Sequence, residues 1–235
     1  MRRFLIVAAY IAALPSMARS QAEARPPASS DSTPPGPTSS SFTFRVGGFT
    51  MNGQRNYAFN KSVQSGTGSL KGIEVLLRGG AVGLSARSLT GTFTTQPSGA
   101  AQPDVTSADV NLLLGPPAFT VSVGASKRAL TNNKLGVTQV YTFGRVGAQM
   151  SFLIGGSGMR GQVGAWGYVP SSTDADRMKI GGEGEGSIIY SPPRIPIYLQ
   201  LGYRTEVFTA KTLTTQTPEE VRGLRLGGGI QFGGK

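Results

Sequence analysis

The last ten residues before the C-terminal tail, GLRLGGGIQF (Gly223–Phe232), alternate between two chemistries. Leu224, Leu226, Ile230 and Phe232 fall on one face, and Arg225, Gly227, Gly229 and Gln231 on the other. A period of two belongs to a β-strand whose two sides meet different surroundings. The same rhythm recurs through the last two hundred residues, where five hairpins can be read. One face is apolar, and the other carries Gly, Ser, Gln, Glu or Arg. No apolar run beyond the first fourteen residues reaches the eighteen needed for a helical membrane span, so a membrane-crossing reading of this chain uses strands.

The N-terminus reads as a signal peptide. Arg2 and Arg3 form the charged region, Phe4 to Leu14 the apolar one, Pro15 breaks it, and Ser20-Gln21-Ala22 offers small residues for cleavage. Residues 1–22 are therefore expected to be removed. That deletes Arg2, Arg3 and Arg19 and no acid, and lowers the net charge from +11 to +8. Residues 23–41 are Pro- and Ser-rich without periodicity and read as a disordered leader. Residues 42–235 form one all-β domain. Charged residues are 15% of the chain, against about 25% in ordinary soluble proteins. The chain has no Cys, so neither disulfides nor a lipid-modified cysteine anchors it.

Ten strands are expected. The connections around Gly79, Pro116, Gly156 and Pro192 are short. Those at 52–69, 91–104, 127–136, 170–179 and 209–222 are long and polar. Both ends of the domain then lie on the short-turn side. Bulges are expected at Gly47-Gly48 and near Gly144, where the alternation slips. Eight strands follow if the first hairpin and part of the seventh strand are misread.

These features resemble the small outer-membrane β-barrel proteins of Gram-negative-type bacteria, over the signal peptide and residues 42–232. The resemblance implies a single antiparallel up-and-down barrel with periplasmic termini, short periplasmic turns and longer external loops. It also implies that Leu224, Leu226, Ile230 and Phe232 act as the C-terminal insertion signal read by the barrel-insertion machinery. Gly233-Gly234-Lys235 after the aromatic departs from the usual ending. A soluble secreted β-protein would also alternate. Against it stand the glycines of the non-apolar face (Gly147, Gly164, Gly184, Gly202, Gly227, Gly229), which suit a narrow lumen better than a solvated sheet.

With the apolar face toward lipid, the lumen receives Arg45, Glu74, Arg87, Asp109, Arg145, Arg160, Glu183, Glu185, Arg204, Glu206 and Arg225. Charges confined in a small barrel pair or stay hydrated, and arginine's planar fork suits carboxylates. Glu183 and Glu185 stand roughly 7 Å apart along one strand face. That overlaps with paired-carboxylate catalysis, but two lumen acids held by different arginines is the preferred reading. The chain has no His and no Cys, so no catalytic constellation, metal site or cofactor is expected.

The aromatics Tyr190, Tyr198, Trp166, Tyr168, Tyr203, Phe208, Tyr141 and Phe143 are assigned to interface belts, although simple counting turns Trp166 and Tyr168 inward. Arg55, Lys61, Lys71, Lys127, Arg128 and Lys134 read as loop charges, suited to the phosphates of surface glycolipid. Nucleic acid is not an expected partner. The functional expectation is a structural or surface-interacting outer-membrane barrel with a charge-plugged lumen. A porin-like small-solute channel is the alternative.

Overall fold

A computed structural model describes residues 42–59, 62–95, 103–132, 137–155, 158–171, 178–211 and 216–233. The chain divides into two units, Met1–Ser39 and Ser40–Lys235, and every described residue belongs to the second. The expected signal peptide and leader lie outside the described residues.

Ten strands form: β1 (Phe42–Phe59), β2 (Ser62–Gly79), β3 (Val82–Thr95), β4 (Pro103–Leu114), β5 (Phe119–Asn132), β6 (Val137–Ile154), β7 (Met159–Pro170), β8 (Met178–Tyr190), β9 (Ile197–Lys211) and β10 (Gln216–Gly233). Each pairs antiparallel with its sequence neighbours, and β1 pairs with β10, so the sheet closes into a barrel. Closure satisfies every strand edge, which is the condition for a sheet to enter hydrocarbon. The count is ten, not eight. The short turns are glycine-dependent: Gly80 (φ 58°) and Gly115 (φ 102°) occupy the left-handed region.

The ladder partners of Asn52, followed through β2, β3 and β4, lead to Thr131 of β5. Followed through β10, β9, β8, β7 and β6 they lead to Phe119 of the same strand, twelve residues away. Ten strands with this stagger tilt by roughly 40°, at about 3.3 Å per residue and 4.8 Å between strands. The barrel's backbone radius is then roughly 10 Å, a lumen that side chains can fill.

The ladders correct two expectations. No bulge occurs at Gly47-Gly48 or near Gly144, because the registers of β1 and β6 run without a shift. The single shift among the described ladders lies between Met178 and Gly181 of β8. The long loops are also largely strand. Residues 52–59 and 62–69 remain paired, as do 127–132 and 216–222. Their outward side is polar, with Asn52, Ser65, Thr67, Ser69 and Lys127 exposed. What changes along these strands is polarity, not conformation.

On the turn-side half, the outer wall is apolar. Ile73, Leu84, Val110, Leu112, Val123, Leu199, Leu201, Leu224 and Leu226 are exposed there. At about 2.5 Å of climb per residue on a strand tilted by about 40°, this band is roughly 20–25 Å tall. Its turn-side rim is aromatic: Phe42, Phe119, Phe152, Tyr190 and Phe232 are exposed, and Phe44 stacks on Phe232 with ring centres 6.4 Å apart. Above the band the outer wall becomes polar, with Asn52, Lys71, Thr90, Thr92, Thr106, Lys127 and Thr142 all exposed. At the same level the inner wall turns apolar. Met51, Leu70, Leu89, Phe93, Val105, Leu130, Tyr141, Phe143, Tyr168, Phe208 and Val221 form one buried cluster inside the barrel. The turn-side half is inside-out, and the loop-side half has the polarity of a water-soluble barrel.

Candidate functional site in the barrel lumen

Strand alternation delivers every second side chain to the lumen. Ten of the eleven expected lumen charges meet there in one connected network. It begins near the turns, where Arg45 lies 3.8 Å from Glu74. Glu74 also pairs with Arg225, which reaches Glu185 at 2.8 Å. Arg87 is the hub. It bonds Glu185 at 2.9 Å, Asp109 at 2.7 Å and Glu183 at 2.8 Å. Glu183 further receives Arg145 and Arg204, each at 3.0 Å. Arg204 continues to Glu206 at 3.4 Å, and Glu206 pairs with Arg128. The network therefore climbs from the turn side to the edge of the apolar cluster. Arg160 shares the inward register of β7, opposite Ile189, but joins no ion pair among the described residues.

Neutral groups complete the shell. The Tyr168 hydroxyl lies 3.0 Å from Glu183 and 2.7 Å from Glu206 and donates to one of them. Tyr198 donates to Glu74 at 3.0 Å. Ser126 donates to Asp109, and Asn111 Oδ1 accepts from Arg145 at 3.1 Å. A buried charge is tolerable only when paired and hydrogen-bonded, and these donors and the Asn111 acceptor supply the second condition.

The lumen glycines have a specific use. The Phe49 ring covers Gly72, where an added Cβ would stand 2.4 Å from it, and the Phe49 Cβ packs on Gly227, where an added Cβ would stand 2.9 Å away. Trp166 covers Gly147 and Gly164, where a Cβ would come within 2.3 and 2.4 Å of its ring. Arginines then stack on these rings: Arg225 sits 4.0 Å from the Phe49 centre and Arg145 4.2 Å from that of Trp166. Stacking of a desolvated guanidinium contributes on the order of 2 kcal/mol. Gly184, expected inward, points out: it alternates with the buried Glu183 and with Glu185, which is bonded inside.

Other expectations change as well. Arg55 and Arg128, assigned to loops, are buried in the lumen on Glu219 and Glu206. Parity could have found them: Arg55 is in phase with Arg45, and Arg128 with Ser122 and Ser126. Lys61 and Lys134 lie outside the described residues. Of the aromatics assigned to interface belts, Tyr190 and Tyr203 face outward. Tyr141, Phe143, Tyr168, Tyr198 and Phe208 are buried inward, and Trp166 donates to Ser122 at 2.7 Å inside the barrel. The slip near Gly144 is the point where Tyr141 and Phe143 enter the lumen in unbroken register. Leu224, Leu226, Ile230 and Phe232 share the exposed outer face, and Gly233 remains paired with Thr43.

Glu183 and Glu185 are each held by two or more arginines, so both carboxylates are committed to ion pairs. Among the described residues no group of three or more metal-ligating side chains comes together.

A closed antiparallel barrel with a lipid-height apolar outer band, an aromatic rim and charges inside is a transmembrane β-barrel. No protein-family profile matches the chain, and no curated protein does. Among solved structures it is similar to Neisserial surface protein A, at 13% identity and a TM-score of 0.42, covering 81% of this chain and 97% of that one. It is also similar to the N-terminal β-barrel domain of Pseudomonas aeruginosa OprF (15%, TM-score 0.30, 80% and 97%). A third is the outer membrane protein OprG from Pseudomonas aeruginosa (12%, TM-score 0.31, 82% and 96%). At such distances no residue of those proteins maps onto this lumen.

Proposed function

We propose that this chain is a bacterial outer-membrane barrel that does not conduct, and that presents its loop-side half beyond the membrane as a surface-interacting body. The carrying observation is two seals in series. The ion-pair network occupies the middle of the lumen, and the apolar cluster closes it above. Phe93, Met51 and Leu70 in that cluster are at most 1% exposed. An ion entering such a layer loses its hydration with nothing to replace it. Phe42 and Gly233, the two ends of the barrel, lie beside the short turns, which supports a periplasmic turn side. Lipid contacts the apolar band, and Lys71 and Lys127, just above it, suit the phosphates of surface glycolipid. The barrel-insertion machinery reads the outward row ending at Phe232. The role is structural rather than catalytic.

The test is single-molecule recording in planar bilayers. Purified protein should insert, as judged by heat-modifiable gel mobility, and show no steady conductance. Stable open steps in the unmodified protein would establish a small-solute channel instead.

A further inference from the structure

The turn-side part of the ion-pair network borders a cavity of about 110 Å³. Its lining includes Arg45, Arg78, Arg145 and Arg225 and the carboxylates Glu74 and Glu185. Arg78, Gln149 and Gln162 place it at the turn-side end, a few residues from the turns. The apolar cluster separates it from the loop side, so it is a vestibule with one entrance.

Its charge does not balance. The connected network joins six arginines to five carboxylates. Arg78 adds a seventh arginine. It is 7% exposed, and each of its hydrogen bonds goes to a neutral oxygen: Gly80 O at 3.2 Å, Thr120 Oγ1 at 3.0 Å, and Gly115 O. Arginine cannot shed its proton in a protein, so the imbalance cannot be relieved by titration. Two uncompensated positive charges inside a lipid-wrapped wall are costly unless an anion joins them. The lining itself carries the same excess: five arginines, Arg45, Arg78, Arg87, Arg145 and Arg225, stand against two carboxylates, Glu74 and Glu185.

We infer that this vestibule is a binding site for a small oxyanion, with phosphate as its best-matched probe, entered from the turn side and held by Arg78 together with the cavity faces of Arg45, Arg145 and Arg225. A cation is disfavoured by the net charge of the lining. A neutral solute would leave the imbalance in place. The volume admits an ion of phosphate size. The site rests on the closed lumen proposed above, because a seal on the loop side makes it a dead end that retains its ligand rather than a step along a pore.

The experiment is calorimetric titration of the purified protein in detergent with sodium phosphate at fixed ionic strength. One saturable site per barrel is expected. Arg78→Gln keeps a polar side chain at the mouth but loses the charge, and should weaken binding at least tenfold with heat-modifiable mobility unchanged. The chain has no Cys, so Gln149→Cys supplies a single reporter in the vestibule. Phosphate should slow its modification by a charged thiol reagent several-fold, and should not do so when Arg78→Gln is also present. Absence of saturable heat together with absence of protection would overturn the site, as would an Arg78→Gln variant that binds as tightly as the parent. The outcome is separable from the conductance test. A protein that conducts and still binds phosphate refutes the seal and keeps the site; one that neither conducts nor binds keeps the seal and refutes the site.

Discussion

Arginine placed along the outward face of β4 should map the height of the membrane on this barrel. The outward residues, from the turn upward, are Leu114, Leu112, Val110, Ala108 and Thr106. Successive outward positions lie about 5 Å apart in height, given roughly 2.5 Å of climb per residue on a strand tilted by about 40°. Leu112 is then about 10 Å below Ala108, where the apolar band ends, and so near the middle of a band roughly 20–25 Å tall. Leu112→Arg should cost about 2–4 kcal/mol, and Thr106→Arg about 0–1 kcal/mol, following the depth dependence of charge on a lipid-facing wall. Val110→Arg should fall between them. Reversible urea unfolding of the barrel in lipid vesicles measures each difference. Equal costs at Leu112 and Thr106 would refute the assignment of the loop-side half to water. A higher cost at Thr106 would invert the barrel.

The two seals should fail only together: Glu183→Gln with Glu185→Gln should leave the bilayer silent, and adding Phe143→Ala and Phe208→Ala should give measurable conductance. Gly147→Val, whose Cβ would meet the Trp166 ring at 2.3 Å, should cost about 1–3 kcal/mol by overpacking. It should also shift the fluorescence of Trp166, the only tryptophan in the chain. Arg87→Met removes the hub from three carboxylates and should destabilise the barrel by about 3–5 kcal/mol in urea unfolding. Phe232→Ala should slow assembly in a pulse-chase read by heat-modifiable mobility; normal assembly would argue against the insertion role of that row.

The turn-side half was legible because its two walls differ in chemistry. Leu112 and Asn111, or Leu226 and Arg225, declare their faces by simple alternation, and the lumen charges follow from the same count. The loop-side half was not, because there the apolar residue moves to the other phase. Tyr141 and Phe143 look like belt aromatics if the apolar face is assumed to be outside everywhere, and the apparent slip at Gly144 looks like a bulge. Composition misled in the same way for Arg55 and Arg128. Both lie in segments that read as polar loops, whereas the ladder carries them inward onto Glu219 and Glu206. The pairing of particular arginines with particular acids could not be read at all. It depends on a twelve-residue stagger that brings β3 and β8 face to face across the lumen, as the contact of Arg87 with Glu183 shows.

The coincidence of the two inversions is itself informative. On one strand, adjacent residues face opposite walls, so the outer wall and the inner wall are written in interleaved positions. A bulge could exchange the phases in one step by inserting a residue. Here the exchange happens without one. On β2 the outward series runs Leu77, Val75, Ile73, Lys71, Ser69, while the inward series runs Arg78, Leu76, Glu74, Gly72, Leu70. On β3, outward Leu84, Ala86, Ser88, Thr90 accompanies inward Ser85, Arg87, Leu89. Each wall changes its chemistry within one or two positions of the other, and the register is undisturbed. Above the bilayer the outer wall meets water and cannot remain apolar without inviting association. A purely polar lumen there would leave that half of the sheet with no dry core to hold it. Moving Phe93, Phe143 and Phe208 inside supplies that core, about 1.5–3 kcal/mol for each buried side chain. Closure of the lumen is thus a by-product of letting the barrel stand clear of the membrane. A variant carrying Phe143→Ala and Phe208→Ala should therefore lose stability in its loop-side half first. Hydrogen exchange should show that loss at β6 and β9 above the band, with the lipid-embedded half still protected; uniform loss of protection would mean that the two halves are not separately stabilised.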